Sequence, residues 1–274
     1  MRHLPSPPQL QAMSTEQLRA AFLVEDLFIP DEVILRAVDL DRVILGGAVP
    51  ISGQLPLPAP AIMAAEYFAE RRELGVLNIG GPGTVRAAGE SYPLAKDDTL
   101  YIGRGSRDVS FASDAPSRPA YFYLVSYPAH AQHATARVTR AEADSEELGS
   151  ADRANLRWLS RYIHPGGVQS AQLVMGVTTM RTGSVWNTMP PHTHLRRTEV
   201  YLYYDLPDDA VAFHFLGEPT ETRNLVVRNR QAALSPGWSI HAGCGTASYS
   251  FCWAMGGENQ VFADMQSVRM GALR

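Results

Sequence analysis

From residue 74 onward the chain is built of short runs of strand-forming residues, each cut off by a turn. "LGVLNIGG", "GTVRAAGESYPL", "DTLYIGRG", "DVSFAS" and "AYFYLVSY" follow one another, with Gly, Pro, Asp and Ser between them. Short strands at roughly ten-residue spacing build a sandwich or a barrel. The stretch 139–157, "TRAEADSEELGSADRANLR", is polar and acidic, contains helix formers, and has the character of a connector. After it the pattern resumes in "QLVMGVTTM", "EVYLYYDL", "AVAFHFLG", "RNLVVRN", "QAALSPG" and "SYSFCWAM". Helix signals are few. One helix is expected to start at Ser14-Thr15-Glu16, where Leu18, Ala21 and Phe22 give an i, i+3, i+4 stripe.

The two sets of strands can be laid on each other. Tyr67-Phe-Ala69-Glu-Arg-Arg-Glu73 precedes "LGVLNI", as His192-Thr-His194-Leu-Arg-Arg-Thr-Glu199 precedes "VYLYY". Further on, a segment from Leu100 to Asp108 answers one from Leu234 to His241. Similar segments in the same order argue for two copies of one β-barrel. The expected division is residues 1–145, a first barrel with an N-terminal arm, and 146–274, a second barrel.

Composition narrows the function classes. Hydrophobic residues make up 45% of 274 residues, so a well-buried core is expected and disorder is not. The formal net charge of −4 gives no electrostatic footprint for nucleic acid and no polybasic membrane anchor. The first residues lack the apolar run of a signal peptide, and no run has the length of a membrane span. Cys244 and Cys252 are the only cysteines, too few for a disulfide framework. A soluble, cytoplasmic protein with a small-molecule substrate is the expectation.

The chemistry concentrates in "PPHTHLRRTE", residues 190–199. On a strand, residues i and i+2 point to the same face, so His192 and His194 aim together. Glu199 follows a short turn, and His241 arrives from a distant strand. Three imidazoles and a carboxylate suit zinc, iron, manganese or nickel, and ligand type does not choose among them. A lone HxH is common on exposed strands. Here a glutamate stands at a matching offset and a P-x-x-x-x-H segment, Pro236 to His241, follows in order. That combination resembles the metal pattern of cupins, which are double-sheet β-barrels. Trp238 stands where the second cupin motif usually has glycine. The first half keeps an acid, Glu73, but has Tyr67, Ala69 and Asp108 in place of histidines, so it is expected to hold no metal. The expected fold is therefore all-β dominated: two tandem cupin-type double-stranded β-barrels with a few short helices.

The likeness extends along the chain. "FLVEDLF", "ERRELGVLNIGGPGT", "WNTMPPHTHLRRTEVYLYYDL", "PTETRNLVVRNRQAALSPGWSIHAGCGT" and "GGENQVFADM" resemble the bacterial 5-keto-4-deoxyuronate isomerases of pectin breakdown, also called 4-deoxy-L-threo-5-hexosulose-uronate ketol-isomerases. The resemblance runs from about residue 20 to the end. It implies a duplicated cupin fold, one Zn2+ per subunit in the C-terminal barrel, and a homohexamer. It places the metal ligands on His192, His194, Glu199 and His241. Leu195 departs from the family, which usually has a polar or acidic residue there.

The implied reaction moves a carbonyl between C1 and C2 of an open-chain deoxyuronate, giving 3-deoxy-D-glycero-2,5-hexodiulosonate. Either an enediolate route or a hydride shift gathers negative charge on two oxygens, which a divalent ion stabilises. The sequence does not name the base; Glu199 is a candidate if its second oxygen is free or its carboxylate dissociates from the metal during turnover. If it faces the barrel interior, so do Tyr201 and Tyr203. Tyr201 is then a candidate to donate to an oxyanion and Tyr203 to bind substrate, although the ordinary role of each is as a wall residue. Gln172 is another polar candidate. For the substrate carboxylate, arginine is the natural fork. Paired arginines before a strand usually form a solvated edge. Among Arg161, Arg181, Arg196 and Arg197 the preference falls on Arg161, because "SRYIHP" precedes a barrel strand and contains Tyr162. His164 and His214 are expected to be structural or to support the site. Two other classes share these residues: an iron-dependent cupin dioxygenase and a non-catalytic sugar-binding cupin.

Overall fold

The computed structural model describes residues 1–274. The chain forms two compact units. The first comprises Met1–Arg2, Asp26–Asp144 and Arg161–Met175; the second comprises His3–Glu25, Ser145–Ser160 and Gly176–Arg274. The sequence expectation divides the chain once, between 145 and 146. In the structure each unit instead draws on separate segments.

Within the first unit, Thr99–Ile102, Arg72–Asn78, Phe122–Pro128, Ile44–Ala48 and Val33–Ala37 lie side by side in that order. A second sheet runs Leu55–Pro56, Ser110–Ser113, Gly83–Ala87, Glu90–Leu94. In the other unit the same two orders return. Gln231–Ser235, Arg197–Tyr204, Ser250–Gly257, Val174–Met180 and Arg157–Ile163 form one sheet, its last two strands running on into the 161–175 segment of the first unit, and Trp186–Asn187, Ala242–Gly245, Ala212–Glu218, Glu221–Val227 form the other. The fold is that of two tandem cupin-type double-stranded barrels with a few short helices.

The core of the first barrel follows from period-two alternation. Leu74, Val76, Leu100, Ile102, Phe122 and Leu124 from one sheet meet Val85, Ala87 and Phe111 from the other. Phe111 and Phe122 pack at 5.4 Å and are fully buried, worth about 1.5–3 kcal/mol each. Alternation then fixes the neighbours on the strand. Arg72 shares the inward face with Leu74 and Val76, whereas Glu73 and Gly75 face the other way. A Cβ on Gly75 would lie 2.7 Å from the Met175 sulfur and 2.9 Å from a Leu173 methyl, so glycine lets the segment 163–175 lie flat on that outer face. Glu73 accepts backbone N–H groups from Ala171, Gln172 and Leu173 at 2.6, 2.8 and 2.8 Å and the Tyr101 hydroxyl at 2.8 Å. Its matching with Glu199 in the sequence repeat therefore does not survive. By face and register, the residue equivalent to Glu199 is Leu74, and Arg72 answers Arg197.

The N-terminal helix forms as expected, over Thr15–Phe22, with a Ser14–Gln17 capping box and Leu18 and Phe22 buried. It belongs to the second unit, because Leu23 and Val24 pair with Ala233 and Ala232 and Phe22 meets Trp238 edge-on at 6.4 Å. The stretch 139–157 contains a strand, Asp144–Leu148, and one turn of 3-10 helix, Ala151–Arg153. Its helix-forming residues yield to sheet pairing and to the left-handed Ala154 that ends the turn. No helix is long and apolar enough to cross a membrane.

Candidate metal centre

Four elements of the second unit deliver the donor side chains. His192 lies in the two-residue strand His192–Thr193, opposite Ser267, and His194 follows just beyond it. Glu199 is the third residue of Arg197–Tyr204, flanked by Ser235 and Met255 on the neighbouring strands. His241 ends the loop after Ser235 and immediately precedes the strand Ala242–Gly245. That loop passes tightly over the first motif. A Cβ at Gly237 would sit 2.6 Å from the His194 carbonyl oxygen and 3.0 Å from that of Arg197, so only a hydrogen fits there.

His192 Nε2 is 3.1 Å from His194 Nε2 and 3.0 Å from His241 Nε2. Glu199 Oε2 is 3.2 Å from His194 Nε2 and 2.9 Å from His241 Nε2. All four donor atoms lie within 4.8 Å of one another, and three of the residues are fully buried. Despite these distances, Glu199 Oε2 is buried with no N–H directed at it. Lone-pair nitrogens this close repel unless a cation lies among them. Separations of about 3 Å between donors are those that metal bonds of about 2.0–2.2 Å produce. The outer nitrogens support this assignment. His194 Nδ1 is 3.1 Å from the Asp264 carbonyl oxygen, and His241 Nδ1 is 3.2 Å from Ser235 Oγ. With the N–H of each ring donated outward, both Nε2 lone pairs are left for a metal. The residues fit a divalent ion.

Charge around the group is consistent with this. Burial, and then His241, push the His192 imidazole down to about 3, so it is neutral at pH 7. Burial raises the Glu199 carboxyl, but the His241 and His194 imidazoles outweigh it and hold the group below the usual carboxylate range. Burial and the nearby Glu199 push the Tyr201 phenol well above its ordinary value, so it keeps its proton.

A cavity of about 310 Å³ opens on the donors. Leu159, Phe251, Trp253, Met255, Phe262 and Met265 give it an apolar wall. Its polar lining is Thr178, Thr188, Tyr201 and Arg157, beside the donor residues themselves. Glu199 is the one carboxylate and Arg157 the one guanidinium in that lining. Arg157 donates from Nη1 to the Asn155 carbonyl at 2.8 Å. The Tyr201 hydroxyl is 3.3 Å from Thr188 Oγ1, and its ring stacks on Phe251 at 4.8 Å.

The structure therefore brings together His192, His194, Glu199, His241 and Tyr201. Tyr203 shares their face but lies deeper and does not line the cavity; its hydroxyl is 2.8 Å from His214 Nδ1. Arg161 and Gln172 are not brought there. Arg161 belongs to the first unit and pairs with Asp144 at 3.1 Å. Gln172, also of the first unit, donates its side-chain amide to the Pro128 carbonyl at 2.6 Å. Arg181 pairs with Glu147 at 3.1 Å. His214 is wholly buried, and burial pushes it down to about 3. Of the paired arginines, Arg196 is exposed as expected, but Arg197 is buried. It donates to the same Asp264 carbonyl that His194 meets, at 3.0 Å. Sequence reasoning missed Arg157 and Asp264, and set Arg197 aside as a solvated edge residue, whereas it is buried. Arg157 closes the polar stretch 139–157, which masked it, although its alternation with Leu159 was there to be seen.

Comparison with known proteins places this geometry. A family model described as KduI/IolB matches residues 56–269. The 4-deoxy-L-threo-5-hexosulose-uronate ketol-isomerase of Opitutus terrae is 50% identical over 275 residues, covering 100% of this chain and 99% of that protein. The protein of the same name from Kineococcus radiotolerans is 51% identical over 276 residues, with the same coverage of 100% and 99%. Among solved structures, an IolB-like protein from Salmonella typhimurium superposes with a TM-score of 0.74 at 12% identity, covering 90% of this chain and 96% of the other. A variant of Bacillus subtilis oxalate decarboxylase superposes with a TM-score of 0.61 at 10% identity, covering 90% and 79%. These last two share the fold.

Proposed function

The chain belongs to the KduI/IolB family, and we propose that it is a metal-dependent ketol-isomerase, an intramolecular oxidoreductase that converts 4-deoxy-L-threo-5-hexosulose uronate to 3-deoxy-D-glycero-2,5-hexodiulosonate. The observation that carries the metal dependence is the buried, hydrogen-bond-free Glu199 Oε2 facing two imidazole nitrogens at 2.9 and 3.2 Å. His192, His194, Glu199 and His241 hold the ion, which we take to be zinc from the family resemblance. It supplies Lewis-acid polarisation of the substrate's neighbouring carbonyl and hydroxyl oxygens.

The chain's own residues do the remainder. Arg157 forms the charge-assisted fork for the substrate carboxylate, replacing Arg161 in that role. Glu199, the one carboxylate in the lining, takes the C2 proton and returns it to C1 through the oxygen not set against the imidazoles. The C2 hydroxyl proton passes to O1, so the aldehyde becomes a primary alcohol, C2 becomes the ketone, and no redox partner is needed. Tyr201, kept protonated, donates to the oxygen on which charge develops. Trp253, Phe251 and Met255 keep water from the intermediate. The reading also includes a cytoplasmic homohexamer, on the strength of the family resemblance.

The test is isomerisation of the uronate in deuterated solvent, with protein before and after chelation. Turnover that stops on chelation and returns with zinc is the expected result; label at C1 reports the share of protons that Glu199 loses to solvent before returning them. Undiminished turnover by chelated protein, or by His241→Ala, refutes the metal-dependent reading. Oxygen consumption would move the assignment to a dioxygenase.

A further inference from the structure

The first barrel has its own mouth, at the same end of the equivalent strand that carries Glu199 in the second. Glu199, Tyr201 and Tyr203 face inward in the second barrel, and Arg72, Leu74 and Val76 do so in the first. Arg72 takes the position of Arg197, and the position of Glu199 is occupied by the apolar Leu74. Around Arg72 opens a cavity of about 280 Å³, lined also by Arg42, Arg71, Arg104 and His130, with no Asp or Glu in its lining.

The arginines are held as a set. Arg72 is buried and donates to Ser126 Oγ at 3.0 Å and to the carbonyls of Arg42 and Ser126 at 2.6 and 2.8 Å. Arg104, half-buried, donates to the carbonyls of Glu70 and Ala129 at 3.3 and 3.1 Å. These acceptors are neutral. They orient the guanidinium planes without cancelling their charge. Arg71, at the rim, pairs with Glu70 at 2.9 Å, and Arg42 is exposed beside it. Burial, and then repulsion from Arg42, lower Arg72 to about 10, against the opposing influence of Tyr127 and Glu73. A protein gains nothing in stability from crowding like charges around a hollow. An anion entering that hollow would relieve the repulsion and find oriented donors.

We infer that the mouth of the first barrel is a binding site for a small oxyanion, the carboxylate or phosphate of a metabolite about the size of one sugar, with Arg72 at its floor and Arg104 and Arg42 as its open arms. The site lies in the barrel that lacks the metal donors and stands independently of the isomerase reading.

The test is calorimetric titration of the full chain with inorganic phosphate and with galacturonate, and with neutral galactose as control. Saturable binding of at least one anion, none of galactose, and weakening at higher ionic strength are expected. Each of Arg42→Ala and Arg104→Met should weaken that binding about 10–100-fold, the worth of a charge-assisted donor. Which anion binds tells carboxylate from phosphate. His241→Ala, which disables the other mouth, should leave the affinity unchanged. Arg42 is exposed, so its replacement tests the site even if Arg104→Met folds poorly. The inference is overturned if neither anion binds saturably, if Arg42→Ala binds as well as wild type, or if binding disappears with His241→Ala.

Discussion

At the scale of single residues, the cavity beside the metal donors separates binding from chemistry. Arg157 is its one cation and Tyr201 its one phenol. Arg157→Met should raise KM for the uronate about 10–100-fold while lowering kcat much less, with Arg157→Lys recovering part of the loss; steady-state kinetics check this. Tyr201→Phe should lower kcat about 100-fold and leave metal content intact, measured by turnover alongside elemental analysis. The buried histidines bear on acid stability. His214 is neutral in the fold down to about 3, below the ordinary 6.5 of the unfolded chain. Between those limits the unfolded state binds the extra proton, so stability falls as pH drops from about 6.5 towards 3. Replacing His214 with Gln should flatten the pH dependence of unfolding free energy across that window by about one proton, read from denaturant melts.

At the scale of elements, two turns carry the argument. The loop from Pro236 to His241 lies on the backbone of His194 and Arg197, where Gly237 leaves no room for a methyl group. Gly237→Ala should therefore weaken metal affinity about 10-fold or more by displacing His241, with only a modest fall in melting temperature; metal titration and thermal melts check it. The Glu73 grip is the counterpart in the first unit. Glu73→Gln sets an amide NH2 against backbone N–H donors and should cost about 2–3 kcal/mol in denaturant melts, with metal content unchanged. These elements also show what the sequence made legible. Short strands at regular spacing gave the barrels, and the capped helix from Ser14 was visible in its own first turn. The donors of the metal group were visible because their spacing is local, apart from His241, whose Pro236 betrayed it. What stayed hidden depends on which face a strand turns inward. Glu73 looked like the partner of Glu199, yet alternation turns it outward and puts Leu74 in the position of Glu199. Arg157 was hidden by the polar composition around it, and Arg161 looked better placed than it is because its Asp144 partner is remote in sequence.

On the scale of the whole molecule, one strand order occurs twice, with a His/Glu donor group in one cavity and a cluster of arginines in the other. One divalent ion per chain is the expected stoichiometry, falling to none in His241→Ala, by elemental analysis of dialysed protein. The interleaving of the segments has a consequence for biosynthesis. The first unit includes 161–175, so it is incomplete on the ribosome until well past its own last barrel strand. The arm 3–25 is made earliest of all, yet waits for Ala232 and Ala233 to emerge before it has a sheet to join. A gene cut between the codons for 145 and 146 would give two fragments, each missing a piece carried by the other. Such fragments should fold poorly when expressed apart and should be rescued by being expressed together.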